Sequence, residues 1–319
     1  MYFENIIGQD FAKKYLTNSI KKNKLNNAYM FEGMDGIGKK KFADELSKLL
    51  LDYENLENSP DYVLIKPDGN SIKIAQIRNL QSDIVIRPHK DYKIYIINNA
   101  EKMTVEAQNA LLKTLEEPPN YAIIILVTNN KESLLETIKS RCDIIKFSPI
   151  PIEDLKRYLI NTGIEEERAQ LLAIFSRGSI ENALNLSQSS EFSMMREDIQ
   201  QYIQIMLDKN IVEILNIPNN MEKYRGKIIA LLDMMINYFR DIILLKENVN
   251  KNMLINVDKL VFIQNMSGKI SYSQLSKIID IIEDAKSKIK SNCNFNISIQ
   301  VMSLNIYEVI NDKDSRYKV

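Results

Sequence analysis

Cysteine, histidine and tryptophan are almost missing from this chain of 319 residues, which contains two cysteines, one histidine and no tryptophan. Two cysteines, Cys142 and Cys293, are too few for a disulfide framework. Even with His89 they do not make up the four-ligand set that a structural zinc site needs. The composition therefore predicts neither a disulfide-stabilised miniprotein nor a zinc site.

Net charge and long apolar runs are also absent. The 42 basic side chains balance 42 acidic ones, whereas domains that hold nucleic acid by bulk electrostatics carry a basic excess. The longest apolar run, residues 122–127, is far shorter than the ~18 residues of a membrane span. Glu4 and Asp10 interrupt the segment in which a signal peptide would need its apolar core. We therefore expect a cytoplasmic protein with no membrane partner.

The first half of the chain alternates between strand-like and helix-like patterns. Five short runs rich in β-branched residues predict strands at 28–31, 62–65, 94–97, 122–128 and 144–147. Several of these runs are apolar at consecutive positions, as in strands covered on both faces. Residues with helical spacing lie between them. The alternation predicts a parallel sheet wrapped by helices, with ligands bound at the carboxyl ends of the strands.

The pattern changes at Pro149 and Pro151, since two prolines separated by one residue continue neither a helix nor a central strand. Beyond them the apolar spacing is helical, at 152–161, 165–176, 180–188, 197–207, 226–246 and 273–290. The wide apolar faces of the last two stretches indicate the core of a helical bundle, or surfaces that pack on partner subunits. We predict three domains: 1–150, 151–190 and 191–319.

A phosphate-loop pattern follows the first predicted strand. The spacing of Gly33, Gly36, Gly38 and Lys39 is typical of loops whose backbone N–H groups surround phosphate at a helix N-terminus. The next position of that pattern requires Ser or Thr, because the hydroxyl binds the Mg²⁺ of the nucleotide. Lys40 stands there instead. The loop therefore keeps its phosphate-binding features and lacks a magnesium ligand.

The third predicted strand ends in two amides where a nucleotide hydrolase needs two carboxylates. One such carboxylate supports Mg²⁺ and the other orients the attacking water. Asn98 and Asn99 occupy these positions, and a neutral amide holds a divalent cation poorly and is no base near neutral pH. We predict that the chain does not hydrolyse nucleotide, although weak ATP or ADP binding remains compatible with the loop.

Several motifs resemble the AAA+ subunits of the bacterial replicative clamp loader. They are Ile7-Gly8-Gln9, Ala28-Tyr29-Met30-Phe31, Ser59-Pro60-Asp61-Tyr62, residues 74–80, the run Asn109-Ala110-Leu111-Leu112-Lys113-Thr114-Leu115-Glu116-Glu117-Pro118-Pro119, and Ser140-Arg141-Cys142. The last two are the most specific. The resemblance implies an α/β AAA+ domain like those of nucleoside triphosphatases, a helical lid and an all-α C-terminal collar domain.

The resemblance also assigns roles to individual residues. It implies that Arg141 is an arginine finger, which acts in trans on the nucleotide site of a neighbouring subunit. It implies that Thr128 and Asn129 stand where relatives sense the γ-phosphate, and a hydrogen-bonding role in the strand-end turn is an equal alternative. Glu181 occupies the lid position at which active relatives carry a second sensing arginine. The four-cysteine zinc module of many relatives has no counterpart in residues 48–61.

These features favour a non-hydrolysing stator of the DNA polymerase III clamp loader. The implied partners are the motor (gamma/tau) subunits and the delta subunit in a hetero-pentamer, with the sliding clamp and primed DNA contacted through the assembled complex. No cofactor is required by this reading. Two alternatives stay open: an active AAA+ motor subunit, which Lys39 supports, and a DNA-binding scaffold with a relic loop, which short lysine runs support.

Overall fold

The computed structural model describes residues 2–208, 210–247 and 253–311. Contacts within the chain define two compact units. One is formed by Met1–Ile164 with Ala173–Asn185, and the other by Glu165–Leu172 with Leu186–Val319. The division into three domains at residues 150 and 190 stays a prediction.

A five-stranded sheet forms the centre of the first unit. Its strands are β1 (Ala28–Glu32), β2 (Tyr62–Ile65), β3 (Lys93–Asn98), β4 (Ala122–Thr128) and β5 (Asp143–Lys146). They lie in the order β2-β3-β4-β1-β5, and every neighbouring pair is parallel. Each strand agrees with its sequence-based prediction to within one residue at either end. The predicted parallel α/β architecture is therefore confirmed.

Successive residues of the strands belong to two separate cores. Tyr29 and Phe31 of β1 pack in one apolar cluster, and Met30 packs in the other, because side chains alternate between the faces of a sheet. The first cluster also contains residues of α1 (Asp10–Lys21) and α2 (Lys39–Leu51). The second contains residues of α3 (Ile74–Ile84), α4 (Val105–Glu116) and α5 (Glu136–Lys139). Helices thus cover both faces of the sheet.

The order of the strands brings three chain segments to one edge of the sheet. β4 lies between β1 and β3 and is buried at every position, which explains its continuous apolar sequence. The carboxyl ends of these three parallel strands lead into the phosphate loop, into Asn99 and into Asn129. This edge is where parallel α/β sheets bind ligands.

The rest of the described chain is helical. Its helices are α6 (Ile152–Asn161), α7 (Glu166–Phe175), α8 (Ile180–Gln188), α9 (Ser190–Leu207), α10 (Ile211–Met221), α11 (Ile228–Lys246), α12 (Leu260–Ser267), α13 (Tyr272–Lys290) and α14 (Phe295–Asn311). The stretches predicted as helices are all confirmed. The helix expected from residue 197 begins seven residues earlier, because the Ser189 side chain accepts a hydrogen bond from the Phe192 N–H and caps it.

The second unit is a helical bundle, as the wide apolar face of α11 predicts. Leu232, Met235 and Phe239 of this helix are fully buried. Asp241 is buried on the same helix and accepts hydrogen bonds from the backbone N–H groups of Ile255 and Asn256. In the part of the chain that the structure describes, no helix is long and apolar enough to cross a bilayer.

Candidate phosphate-loop site and arginine finger

The phosphate-loop sequence forms a tight turn between β1 and α2. A Cβ atom on Gly33 would lie 2.5 Å from the backbone oxygen of Phe147 and 2.7 Å from Cδ1 of Ile37. Gly38 precedes α2 as its N-cap with φ 95°, a left-handed conformation that favours glycine. The loop therefore has the backbone form that exposes helix N-terminal N–H groups to an anion.

All hydrogen-bond donors of the Lys39 ammonium group have acceptors within the same chain. The residue is 4% exposed. Its Nζ donates to the backbone oxygens of Gly33 (2.7 Å) and Met34 (2.5 Å) and to Oδ1 of Asn129 (2.8 Å). An ammonium group has three N–H donors, so each has an acceptor within the chain. Burial lowers the pKa of Lys39 from its ordinary value.

The side chain of Lys40 is paired with a carboxylate on the same helix. Its Nζ lies 2.6 Å from Oδ2 of Asp44, one helical turn along α2. The other oxygen of Asp44 accepts a hydrogen bond of 2.9 Å from the Tyr62 hydroxyl. The position that supplies a magnesium-binding hydroxyl in hydrolysing loops therefore carries an ammonium group here, which has no lone pair with which to bind a metal ion.

A chain of amide hydrogen bonds occupies the end of β3. Nδ2 of Asn98 donates to Oδ1 of Asn99 at 3.2 Å, and Nδ2 of Asn99 donates to Oε1 of Glu101 at 3.3 Å. The other Glu101 oxygen accepts the backbone N–H of Asn129 at 3.3 Å. The one carboxylate in this chain of contacts is thus hydrogen-bonded through both oxygens. This donor set does not fit a nucleotide-bound magnesium ion, which prefers free carboxylate oxygens.

These groups line a cleft of about 380 Å³, which we call the loop cleft. Its polar wall comes from the phosphate loop, the Asn98-Asn99 pair and Asn129, and its apolar wall from Tyr158, Ile180 and Leu184. A volume of this size lies in the ordinary range for small-molecule sites. The structure thus brings most of the predicted binding residues together.

The segment around Glu181 lies directly on the loop. The Glu181 N–H donates to the backbone oxygen of Gly36 at 3.3 Å. A Cβ atom on Gly36 would lie 2.2 Å from Oγ of Ser179 and 3.0 Å from Cβ of Glu181. Glu181 lines the loop cleft, where its carboxylate repels the phosphates of a nucleotide.

Thr128 and Asn129 have different surroundings. Asn129 lines the loop cleft and accepts the bond from Lys39. Thr128 is fully buried, and its Oγ1 accepts the backbone N–H of Asn130 at 3.1 Å. Among the two γ-phosphate sensing candidates, the side chain of Thr128 therefore stabilises the turn after β4, and that of Asn129 faces the cleft.

Arg141 lies apart from the residues that line the loop cleft. NH2 is 2.7 Å from Oε1 of Glu116, the last residue of α4. NH1 donates to the backbone oxygen of Thr137 at 2.9 Å. The side chain is 34% exposed. The guanidinium is therefore held by the last residue of α4 and by a backbone oxygen of α5 (Glu136–Lys139), while part of it stays open to solvent.

Comparison with known proteins identifies the family. The chain is 31% identical to DNA polymerase III subunit delta' of Bacillus subtilis over 309 residues, which cover 90% of this chain and 92% of that protein. This chain belongs to the delta-prime family of DNA polymerase III clamp-loader subunits. Family models described as "DNA polymerase III, delta subunit" and as its C-terminal part match residues 8–151 and 191–305. The resemblance stated from the motifs is confirmed.

Two further relatives match this chain with lower identity. It is 28% identical to DNA polymerase III subunit tau of Bacillus subtilis, where the match covers 90% of this chain and 58% of that protein. A solved structure of a DNA polymerase III gamma subunit-related protein from Thermotoga maritima is 21% identical, with a TM-score of 0.45. That match covers 93% of this chain and 99% of the other.

The cysteine beside Arg141 has the properties of a packing residue. Burial raises the pKa of the Cys142 thiol to about 12, so almost no reactive thiolate forms near neutral pH. The side chain packs against the core that contains α3 and α4. Across the described ranges 2–208, 210–247 and 253–311, no group of three or more histidine, cysteine, aspartate or glutamate residues is arranged to hold a metal ion.

Three residues of these two sites have no role in the predictions made from the sequence. Glu101 accepts hydrogen bonds from Asn99 and Asn129, which line the loop cleft. Tyr158 lines the apolar wall of that cleft, and Glu116 holds Arg141. Glu101 had a usable signal, because it follows the end of β3 by only three residues. Tyr158 had none. Glu116 belongs to the motif at 109–119, but nothing in that motif points to Arg141, which lies 25 residues away in the sequence.

Proposed function

We propose that this chain is a non-hydrolysing stator of the clamp loader, which lends Arg141 to the nucleotide site of a neighbouring ATPase subunit. The absence of hydrolysis is inferred from the residues at the positions that bind magnesium in active relatives. Lys40 is paired with Asp44 at 2.6 Å, and Asn98 and Asn99 form a chain of amide contacts. With a cation and two amides at these positions, ATP hydrolysis loses both its metal anchor and its base.

The phosphate loop would serve mainly as a structural joint in this role. All three N–H donors of Lys39 have acceptors inside the chain, so binding a phosphate requires at least one of these bonds to break. Glu181 adds a negative charge beside the loop. We therefore expect ATP or ADP to bind weakly and without hydrolysis.

Arg141 would act outside its own chain. An arginine supplied in trans stabilises the charge that spreads over the γ-phosphoryl oxygens, which accelerates hydrolysis by roughly 10³–10⁵-fold in systems with such fingers. That acceleration corresponds to about 4–7 kcal/mol of barrier. The partial exposure of the guanidinium at 34% is compatible with contact to a second protein.

The proposed partners are supported by the family to which the chain belongs. Relatives of this chain include delta', gamma and tau subunits of DNA polymerase III. We expect the chain to assemble with motor (gamma/tau) subunits and a delta subunit in a hetero-pentamer. The sliding clamp and primed DNA would be contacted through that assembly.

An active motor subunit is the second candidate. Lys39 and the glycines of the loop favour it, and so does the 28% identity to the tau subunit. It would need a metal site at positions that carry Lys40, Asn98 and Asn99. We favour the stator, because an active motor subunit would have to replace the metal ligands and the base that are missing at these three positions.

Turnover by the purified chain separates the two candidates. The chain, with ATP, Mg²⁺ and primed DNA, should release phosphate no faster than a blank, and the Lys39→Ala variant should behave identically. Turnover above the blank that disappears in Lys39→Ala would establish a motor subunit and remove the stator reading.

A further inference from the structure

The Glu116–Arg141 pair joins the ends of two helices. Glu116 ends α4, and Thr137 belongs to the four-residue helix α5. A helix C-terminus carries partial negative charge, so a carboxylate such as Glu116 is unfavourable there and a cation is favourable. Arg141 supplies this cation, because its guanidinium lies 2.7 Å from the Glu116 carboxylate. It also donates a hydrogen bond of 2.9 Å to the backbone oxygen of Thr137. The guanidinium is therefore positioned by electrostatics as well as by hydrogen bonds.

The pair leaves part of the guanidinium available. Arg141 has five N–H donors. Within the described residues they make two short bonds, to Glu116 and Thr137, and a long contact of 3.5 Å from NH1 to Oγ of Ser140. Two donors remain for a further acceptor. The guanidinium can therefore bind Glu116 and Thr137 and still donate hydrogen bonds to a phosphate of a neighbouring subunit.

The ion pair between Glu116 and Arg141 is strong enough to orient the guanidinium but too weak to keep it away from a neighbouring subunit. Only one Glu116 oxygen contacts the guanidinium, and the Glu116 side chain is half exposed. An exposed, single-contact pair of this kind shifts a conformational equilibrium by at most about fivefold. This is far below the roughly 10³-fold effect of a finger, so the pair cannot suppress the finger by retracting it. It can remove rotamer freedom from a long side chain before the neighbour arrives.

We infer that Glu116 is a positioning residue for Arg141, which holds the guanidinium in the orientation that it presents to the neighbouring nucleotide site. This inference rests on the proposed function of Arg141. It gives Glu116 a role in the assembled loader and none in hydrolysis by its own chain. Loss of the pair should lower kcat at the neighbouring site and leave the KM for ATP unchanged, because Arg141 acts on the transition state.

The test uses the full chain reconstituted with motor and delta subunits, clamp and primed DNA. We expect Glu116→Ala to lower kcat by about fivefold, or about 1 kcal/mol of barrier. Glu116→Gln, which keeps an acceptor but no charge, should fall between Ala and the wild type. The matched control is Glu117→Ala, because the adjacent Glu117 is exposed and forms no ion pair with any residue that the structure describes. Circular dichroism and sizing of the complex verify folding and assembly.

A double-mutant cycle decides between the possible outcomes. If Glu116 acts through Arg141, Glu116→Ala has no further effect in the Arg141→Ala background. If Arg141→Ala alone leaves kcat unchanged, the proposed function is wrong. Three results would refute the positioning role while Arg141→Ala still lowers kcat and so supports Arg141 as a finger. Glu116→Ala could have the kcat of the wild type, it could raise kcat, or it could lower kcat by the same factor in the Arg141→Ala background as in the wild type.

Discussion

Two cations of the α/β unit, Lys39 in the phosphate loop and Arg141 after α5, have opposite surroundings. Lys39 is 4% exposed and donates three hydrogen bonds to its own chain. Arg141 is 34% exposed and keeps donors that no described residue uses. A phosphate-binding lysine would be expected to offer its charge to a ligand, and a surface arginine to be dispensable. The contacts suggest the reverse assignment for this chain.

The difference shows that a motif can keep its sequence while its chemistry changes. The glycines of the loop hold close backbone contacts, such as that of Gly33 with Phe147, which stay useful whether or not nucleotide binds. Lys39 links the segments that follow β1 and β4, through its bonds to Gly33 and Asn129. The loop can therefore be retained for the integrity of the sheet edge, independently of catalysis.

The largest effect is expected from Arg141→Ala. The rate of hydrolysis at the nucleotide site next to this chain should fall by roughly 10³-fold or more. The Arg141→Lys variant should also be strongly impaired, since an ammonium group lacks the planar fork of a guanidinium. The free energy of unfolding should change by less than ~0.5 kcal/mol, because the pair is exposed.

Single-turnover ATP hydrolysis by the reconstituted loader measures this effect. The matched control is Arg157→Ala, which removes a more exposed arginine that is also paired with a carboxylate, Asp154. Equal rates for Arg141→Ala and Arg157→Ala would show that Arg141 is an ordinary surface arginine and that the contrast with Lys39 has no functional meaning.

A smaller effect is expected from Gly33→Ala in the loop. The added Cβ would lie 2.5 Å from a backbone oxygen, so the free energy of unfolding should fall by about 1–3 kcal/mol. Urea denaturation without nucleotide measures it. Gly226→Ala is the control, because a Cβ there meets no atom within 4 Å. Equal stability of the two variants would contradict a structural role for the loop.

Lys39→Met should have the smallest effect. It removes the donor for the Gly33, Met34 and Asn129 oxygens, which should cost about 1 kcal/mol of stability. Lys41→Met, on the exposed side of α2, is the control and should have no effect. A stability gain in Lys39→Met would mean that the buried ammonium is kept for a ligand and not for the fold.

Local sequence patterns predicted most of the sheet and part of the helical region. Residues 122–127 are apolar without interruption, and a run this short and rich in β-branched residues is typical of a strand covered on both faces. Helix α10 had the opposite signal, since Pro218 is a helix breaker by its chemistry. It nevertheless lies inside the helix and is buried, so tertiary packing outweighs local propensity there.

The site was predictable only as far as its residues are close in sequence. Gly33, Gly38 and Lys39 belong to one short motif, and Asn98 and Asn99 are adjacent. The bond from Lys39 to Asn129 spans 90 residues and depends on the pairing of β1 with β4. The pair of Glu116 with Arg141 spans 25 residues and depends on where α4 and α5 end. Such contacts follow from topology, which a local pattern does not contain.

The most direct measurement compares two variants in one assembled loader, with clamp and primed DNA present. The Lys39→Ala loader should hydrolyse ATP at the wild-type rate, and the Arg141→Ala loader should lose the activity of the neighbouring site. A Lys39→Ala loader that assembles fully but loses hydrolysis, beside an Arg141→Ala loader that keeps it, would contradict the account.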